Sequence, residues 1–204
     1  MSDGAAHMTR FAHELAAERP DWTAIPEILQ RAWQWMEDRG FGEDAPAGYC
    51  LTPYDGEDGV MGPVFAPNLT LEGWFDTSHP AHAALLPVAE ASGDGGILAL
   101  WDAGGVEDPS GGTLRAVVLS DGSGFTVADS ARDLVRLLAV GYDELQEFTL
   151  GLEREDDEAR EAVADFRAWV EDVTGERVPD ELPEVDADPF PAWLSQQLGE
   201  PSAG

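Results

Sequence analysis

Two histidines near the middle of the chain are the first residues whose type and spacing suggest chemistry. His79 and His82 are both possible metal ligands and stand three residues apart, a short separation of the kind found in metal sites. Pro80 lies between them, and no cysteine or paired acid stands at ligand spacing nearby. We therefore expect surface histidines beside a turn, with no metal and no cofactor.

Two glycine-rich stretches have the composition of ligand-binding loops but the wrong spacing. Gly93–Gly96 lacks the later glycine of a dinucleotide fingerprint and leads into an apolar run that is typical of a strand. Asp121–Gly124 does not flank Ser123 with glycines two residues away on each side, as a nucleophile elbow does. Counted as a calcium loop, it places Arg132 at the twelfth position, where an acid is needed. Both stretches are predicted to be tight turns between strands.

No single residue among the remaining reactive groups indicates catalysis. Cys50 is the one cysteine, so neither an intramolecular disulfide nor a four-cysteine zinc site can form. It lies in an apolar run, where a buried thiol is the ordinary expectation. Among 41 carboxylates some pair could lie close enough for glycosidase-like hydrolysis. The sequence singles out no such pair, so we predict no catalytic residues and keep a carboxylate-dependent hydrolase as an alternative.

The charge of the chain is strongly one-sided. There are 41 acids against 11 bases, a formal net charge of −30, and every base is arginine. Without lysine, a Walker A loop, a pyridoxal Schiff base and the strand lysine of protein kinases are excluded. A surface this acidic repels nucleic acid, whose binding depends on basic residues, and attracts basic proteins over long range. The alternative is that the charge serves solubility alone.

Length and hydropathy are those of a soluble domain. The 204 residues, 43% of them apolar with seven Trp and eight Phe, are enough for one substantial core. The first residues lack the basic region and apolar run of a signal peptide, and no stretch approaches the roughly 20 apolar residues that cross a bilayer. We expect a cytoplasmic protein with no membrane partner.

The first 80 residues predict two helices followed by short strands. Met8–Glu18 is expected to be helical, and a second helix is expected after Thr23 as N-cap, with Gly40 as its end. Apolar residues at spacings of three and four mark the buried face of this second helix: Ile25, Ile28, Leu29, Ala32, Trp35 and Met36. Brief strands are expected in the segment that follows, at Tyr49–Leu51, Val60–Phe65 and Leu69–Phe75.

Residues 81–150 predict a core of strands and one helix. Pro87–Glu90 and Ile97–Trp101 flank a glycine-rich hairpin turn, and Leu114–Leu119 and Phe125–Ala128 read as two further strands. Ser130 is expected to cap a helix. The apolar face of that helix is predicted to hold Leu134, Leu137, Leu138 and Leu145.

Residues 151–204 predict an acidic helix and tail. The helix is expected from Asp157 to Thr174 with Gly175 as its end, and proline and acids favour an extended segment from Val178 to Pro189. Phe190–Leu194 is expected to dock on the core through its aromatic side chains. These elements predict a single α+β domain over residues 1–204, with a central, mainly antiparallel sheet flanked by helices.

The central part of the chain resembles a known family. Leu86–Gly96 followed by Ile97–Trp101 is similar to the hairpin of the SMI1/KNR4 group, also called the SUKH superfamily. The first 80 residues do not show the usual opening helix of that family or its Asn-Gly pair. The resemblance extends to five further segments: Val117–Gly122, Val127–Ser130, Leu134–Tyr142, Phe166–Val170 and Pro189–Trp193.

This resemblance implies a compact α+β domain without enzymatic activity. Bacterial members imply an immunity protein, which neutralises a toxin by covering its active site without chemistry on the toxin. A basic toxin or nuclease domain suits the acidic surface, because such a domain is positive where it grips phosphates. Eukaryotic members imply the alternative, a cytoplasmic regulatory or adaptor protein that binds a partner other than a toxin. The expected partner is a basic protein, neither nucleic acid nor a membrane.

Candidate partner-binding residues are the acids around the loops of the predicted sheet and one tryptophan in an irregular segment. The alternative for each acid is plain solvation. The candidates are Asp55, Glu57, Asp58, Trp74, Asp94, Asp102, Glu107, Asp108 and Asp121.

Overall fold

The strands of the computed structural model lie side by side in the order in which they follow one another along the chain. The structure describes residues 8–22, 25–54, 62–103, 114–149, 161–180 and 188–199. Every neighbouring pair of strands is antiparallel, which confirms the predicted α+β domain with a central antiparallel sheet. The strands are β1 (Gly42–Ala45), β2 (Gly48–Leu51), β3 (Val64–Phe65), β4 (Leu85–Glu90), β5 (Ile97–Asp102), β6 (Leu114–Ser120) and β7 (Ser123–Ala128).

The described residues also include six helices that flank this sheet. The central strands β5 and β6 are buried on both faces, and a strand with two buried faces needs a covering layer on each side. The helices are α1 (Arg10–Glu18), α2 (Glu27–Asp38), α3 (Pro80–Ala84), α4 (Ala131–Leu138), α5 (Ala164–Thr174) and α6 (Phe190–Leu198).

The first face of the sheet carries the larger core. Helices α1, α2, α4 and α5 pack there over alternate residues of the strands, Leu98 and Leu100 of β5 among them. Phe11 of α1 lies with its ring centroid 4.6 Å from that of Trp33 of α2. The carboxylate of Glu37 on α2 accepts a hydrogen bond of 2.9 Å from the backbone N–H of Phe11. This contact pairs an unsatisfied N–H at the start of α1 and ties the two helices together.

The second face is covered by the irregular segment before α3 and by the C-terminal helix α6. Phe190 and Leu194 of α6 pack on Trp101, Val117 and Leu119 of the sheet. The Asp188 carboxylate accepts hydrogen bonds from the backbone N–H and the hydroxyl of Thr126 in β7, at 2.7 and 2.6 Å. The predicted docking of the Phe190–Leu194 segment is confirmed, and it forms a full helix.

Several helix boundaries differ from the prediction. Helix α1 begins at Arg10 with Thr9 as N-cap, two residues after the predicted Met8. Helix α2 begins at Glu27 with Pro26 as N-cap, because a proline ring disfavours helical backbone in the residue before it; the N-cap predicted at Thr23 was therefore wrong. Helix α4 does begin after Ser130 but ends at Leu138. Gly141, with φ of 85°, turns the chain away, so Leu145 is buried without lying on the helix.

The strand prediction was wrong in three places before α3. Of the predicted strand Val60–Phe65, residues 62 and 63 are not in a strand and Val64–Phe65 form β3, while residues 60 and 61 lie outside the described residues. Leu69–Phe75 is not a strand: the backbone N–H groups of Trp74 and Phe75 both donate to the carbonyl of Leu71, which is the hydrogen bonding of a helical turn. Strand β1, which reads Gly-Glu-Asp-Ala, was not predicted. It has no apolar alternation and is held by backbone pairing with β2.

Helix α5 ends where it was expected to end. Gly175 has φ of 68° and occupies the left-handed position that follows the last turn. Phe166 and Val170 are buried in the core of the first face, whereas Val163 is buried in a separate small cluster with Tyr54. The helix begins at Ala164 with Val163 as N-cap, so the prediction of one helix running through residue 163 was wrong. Residues 157–160, where it was predicted to begin, lie outside the described residues.

Candidate functional site

The register of the sheet brings two of the candidate acids to the same end of the molecule. Ile97 pairs with Glu90 of β4 on one side and with Leu119 of β6 on the other. The β4–β5 turn (residues 91–96) and the β6–β7 turn (residues 121–122) therefore emerge together. Asp94 and Asp121 are exposed in these turns. The segment 143–149 is hydrogen-bonded to the β4–β5 turn. We call the segments 91–96, 121–122 and 143–149 together the turn end.

Asp121 combines exposure with an unusual backbone conformation. Its φ is 49° and that of Gly122 is 78°, so both central residues of the two-residue hairpin turn have positive φ. Such turns match the twist of antiparallel strands, and aspartate tolerates this conformation better than most residues. Asp121 is thus exposed at the tip of a two-residue hairpin turn between β6 and β7.

Asp94 belongs to a hydrogen-bonded network that joins the β4–β5 turn to the segment after α4. The Glu144 carboxylate accepts a bond of 2.9 Å from the backbone N–H of Gly93 and one of 2.7 Å from the Gln146 side-chain amide. That same amide nitrogen lies 3.5 Å from an Asp94 oxygen, and the Ser92 hydroxyl donates to the other Asp94 oxygen. Two carboxylates are held side by side by these neutral donors.

The segment 143–149 was missed as part of the site, because residue 145 was predicted on the face of a helix. Leu145 is 1% exposed, and its backbone N–H donates to the carbonyl of Ala91 at 2.8 Å. Phe148 is 73% exposed in the same segment. The signal in the sequence that could have located this turn is Gly141, a residue type that commonly ends a helix.

The other described candidates lie elsewhere. Asp102 pairs with Leu114 at the opposite end of the sheet, so the acids of the sheet loops form no single cluster. Trp74 is half-buried against the second face. It belongs to the apolar cluster in which the ring centroids of Trp101 and Trp193 lie 5.3 Å apart. The remaining candidates, Asp55, Glu57, Asp58, Glu107 and Asp108, lie outside the described residues.

Most arginines of the described residues form ion pairs with carboxylates of the same chain. Asp44 pairs with Arg10 at 2.5 Å and Asp165 with Arg39 at 2.6 Å. Arg10 lowers the pKa of the Asp44 carboxyl, chiefly by donating hydrogen bonds to it. Seven arginines take part in such ion pairs: Arg10, Arg19, Arg39, Arg115, Arg132, Arg136 and Arg167.

An open cavity of about 440 Å³ lies between the end of α1 and the irregular segment 68–77. Its charged wall includes Glu18, Glu72 and Asp76. Arg19, also in the wall, is buried; it pairs with Asp21 at 2.8 Å and donates to the carbonyls of Leu85 and His82. The guanidinium of Arg19 therefore links the end of α1 to the start of β4, and its hydrogen-bond donors are paired with acceptors of the same chain.

His79 and His82, considered above as possible metal ligands, contact other parts of the chain. His79 is the N-cap of α3, where its Nδ1 accepts from the N–H of Ala81 at 3.1 Å. Burial and then the charge of Arg19 lower the pKa of His82, against a smaller opposing effect of Asp21. Within the described residues, no group of three or more His, Cys, Asp or Glu side chains is arranged to hold a metal ion.

The Cys50 thiol lies in an environment that disfavours its reactive form. Burial, followed by the charges of Glu43 and Glu90, raises the pKa of the thiol. Since the thiolate is the nucleophile, this thiol is a weak one at neutral pH. Its sulfur lies 3.6 Å from the carbonyl oxygen of Gly48.

Comparisons of the chain with protein-family profiles, with curated proteins and with solved structures gave no match. The resemblance to the SMI1/KNR4 group therefore stays a prediction from the residues. Among the helices that the structure describes, none is both long and apolar enough to cross a bilayer.

Proposed function

We propose that this chain is a protein-binding domain whose partner is a basic protein. The observation that carries the proposal is that most described arginines form ion pairs within the chain. Seven guanidinium groups pair with carboxylates of the same chain, while the formal net charge is −30. The positive charge is thus taken up locally, and the field that a diffusing partner meets is negative, which accelerates the encounter with a basic surface.

The specific form that we propose is an immunity protein that occludes the active site of a toxin, such as a basic nuclease domain. The resemblance of the central hairpin and helix to the SMI1/KNR4 group supports this form. So does the negative charge, because an acidic domain can occupy a groove that otherwise binds phosphates. The mechanism is steric and electrostatic, and the toxin is not modified.

The experiment is affinity capture from the native cytoplasm with the folded chain as bait, followed by reconstitution of the pair from purified proteins. An unrelated acidic protein of equal net charge serves as control bait. We expect one basic protein to bind this chain at least about tenfold more tightly than the control, because specific contacts add to charge. Its affinity should fall as sodium chloride is raised.

The purified pair then separates immunity from the adaptor alternative. Stoichiometric loss of a nuclease or other toxic activity on complex formation supports immunity. A specific partner without such an activity supports a regulatory adaptor. Equal binding to the control bait, or no binding at low salt, contradicts the proposal of a protein-binding function.

A further inference from the structure

Phe148 is the most exposed large apolar side chain among the described residues. It is 73% exposed, compared with 52% for Met8 and 37% for Leu198. Burying a phenylalanine side chain is favourable because it removes a large apolar area from water, so this exposure leaves free energy available for association. Aromatic side chains that are buried on association supply much of the binding energy at protein interfaces.

The turn that carries Phe148 is held on both of its sides. On one side, Leu145 is buried in the core, and its backbone N–H donates to the carbonyl of Ala91 at 2.8 Å. The Thr149 hydroxyl donates to the carbonyl of Gln146 at 2.8 Å and accepts from the N–H of Gln146 at 3.1 Å. An aromatic residue on a preformed turn loses little conformational entropy when a partner covers it.

Carboxylates lie in the same three segments of the turn end as this aromatic side chain. Glu147 precedes it and is exposed, and Glu144 is tied to Asp94 through Gln146. Asp121 projects from the neighbouring hairpin at the same end of the sheet. An apolar centre with a charged rim is the arrangement found in specific protein interfaces.

We propose that the turn end is the docking surface and that Phe148 is its anchor. The occupant is a protein that presents an apolar pocket bordered by arginine or lysine side chains. Charge complementarity selects this occupant, because the rim repels phosphates and anionic lipids and attracts cationic side chains. This inference rests on the proposed function and assigns it to one surface.

Two short synthetic peptides of equal positive charge provide the probes. One alternates arginine with leucine and the other alternates arginine with serine. Each is titrated into the full-length ¹⁵N-labelled chain at low salt, and amide shifts are recorded. We expect the leucine peptide to bind more tightly and to shift amides in residues 91–96, 121–124 and 143–149. Its affinity should fall by about tenfold in Phe148→Ser, with little change for the serine peptide.

Matched variants separate the anchor from general effects. Met8→Ser removes an exposed apolar side chain from the residue before the N-cap of α1, and the affinity of this variant for the leucine peptide should equal that of the wild type. Glu147→Arg should weaken both peptides, whereas Asp172→Arg, an exposed position on α5, should weaken them less. The dispersion of each spectrum reports whether the variant is folded.

Three outcomes bear on the inference. Shifts at the turn end with the selective loss in Phe148→Ser support it. Binding with shifts confined to other surfaces, or equal losses in Phe148→Ser and Met8→Ser, overturns the docking surface and leaves the proposed function standing. No binding of either peptide at low salt overturns both.

Discussion

Ser130 and Asp133 form a reciprocal cap at the start of α4. The Ser130 hydroxyl accepts from the backbone N–H of Asp133 at 3.1 Å and donates to the Asp133 carboxylate at 2.6 Å. The carboxylate also stands in the first turn, where negative charge is favourable. A single serine therefore pairs a helix N–H group and orients an acid beside it.

We predict that Ser130→Ala lowers the free energy of unfolding by about 1 kcal/mol, because one N–H group of the helix loses its acceptor. Urea unfolding, with the midpoint and slope of both proteins compared, is the measurement. Ser78→Ala, at an exposed turn position, should change the free energy by no more than about 0.5 kcal/mol. Equal effects of the two substitutions would show that the cap is not a source of stability.

His82 gives the fold a dependence on pH that can be isolated. Its pKa in the folded protein is lowered by burial and by Arg19, so protonation is easier in the unfolded chain. Neutral His82 therefore contributes stability that is present above the ordinary histidine pKa of about 6.5. That contribution is lost as the pH falls from there toward the lowered folded value.

We predict that wild type loses more stability than His82→Gln when the pH is lowered from about 7.5 to about 5.5, a window around the ordinary histidine pKa. Comparing the two proteins cancels the contribution of the many carboxylates, which both share. Chemical unfolding at several pH values measures the difference, and His13→Gln on α1 controls for the loss of a histidine. Parallel curves for wild type and His82→Gln would refute this role.

At the scale of elements, α6 depends on a glycine in the strand beneath it. A Cβ atom at Gly124 would lie 2.6 Å from Cε1 of Phe190 and 3.0 Å from Cδ2 of Leu194. It would also lie 2.9 Å from the carbonyl oxygen of Val118. Since the core is close-packed, such an atom forces α6 or the strand to move. Glycine at this position lets the helix approach the sheet.

We predict that Gly124→Ala lowers the free energy of unfolding by roughly 1–3 kcal/mol through overpacking. In a Phe190→Leu background the cost should be smaller, because the ring atom that meets the new Cβ is gone. A double-mutant cycle by urea unfolding measures the coupling. The same cost in both backgrounds would assign the strain to the Val118 carbonyl instead of the helix.

At the scale of the whole molecule, two electrostatic effects oppose each other. The ion pairs between arginines and acids are attractive, but most lie near solvent, where a pair contributes about 0–1 kcal/mol. The formal net charge of −30 produces repulsion that destabilises the compact state. Repulsion is expected to be the larger effect.

We therefore predict that the midpoint of thermal unfolding rises by several degrees as sodium chloride increases from about 0.02 M to about 0.5 M, because screening shortens the range of repulsion. Circular dichroism at each salt concentration gives the midpoint. Potassium chloride should give the same curve, since screening depends on ionic strength. A midpoint that falls with salt would mean that the internal ion pairs outweigh the repulsion.

Local pattern was sufficient for much of the fold. The hairpin between β4 and β5, the strands β6 and β7 and the capped start of α4 follow from apolar runs, turn glycines and Ser130, each of which acts within a few residues. The same kind of reading failed for β1 and for Leu69–Phe75. Strand β1 exists through its pairing with β2, and the second segment has a helical turn that buries Leu71 and Phe75.

The sequence by itself determined the net charge, the absence of lysine and the acids that stand in hairpin turns. The tertiary structure alone decided which of those acids share a surface: Asp94 and Asp121 lie at one end of the sheet and Asp102 at the other. It also decided that Leu145 is buried whereas Phe148, three residues later, is exposed. The physical reason is that charge is a sum over residues, whereas proximity depends on strand register and on where a helix ends, which long-range pairing and packing set.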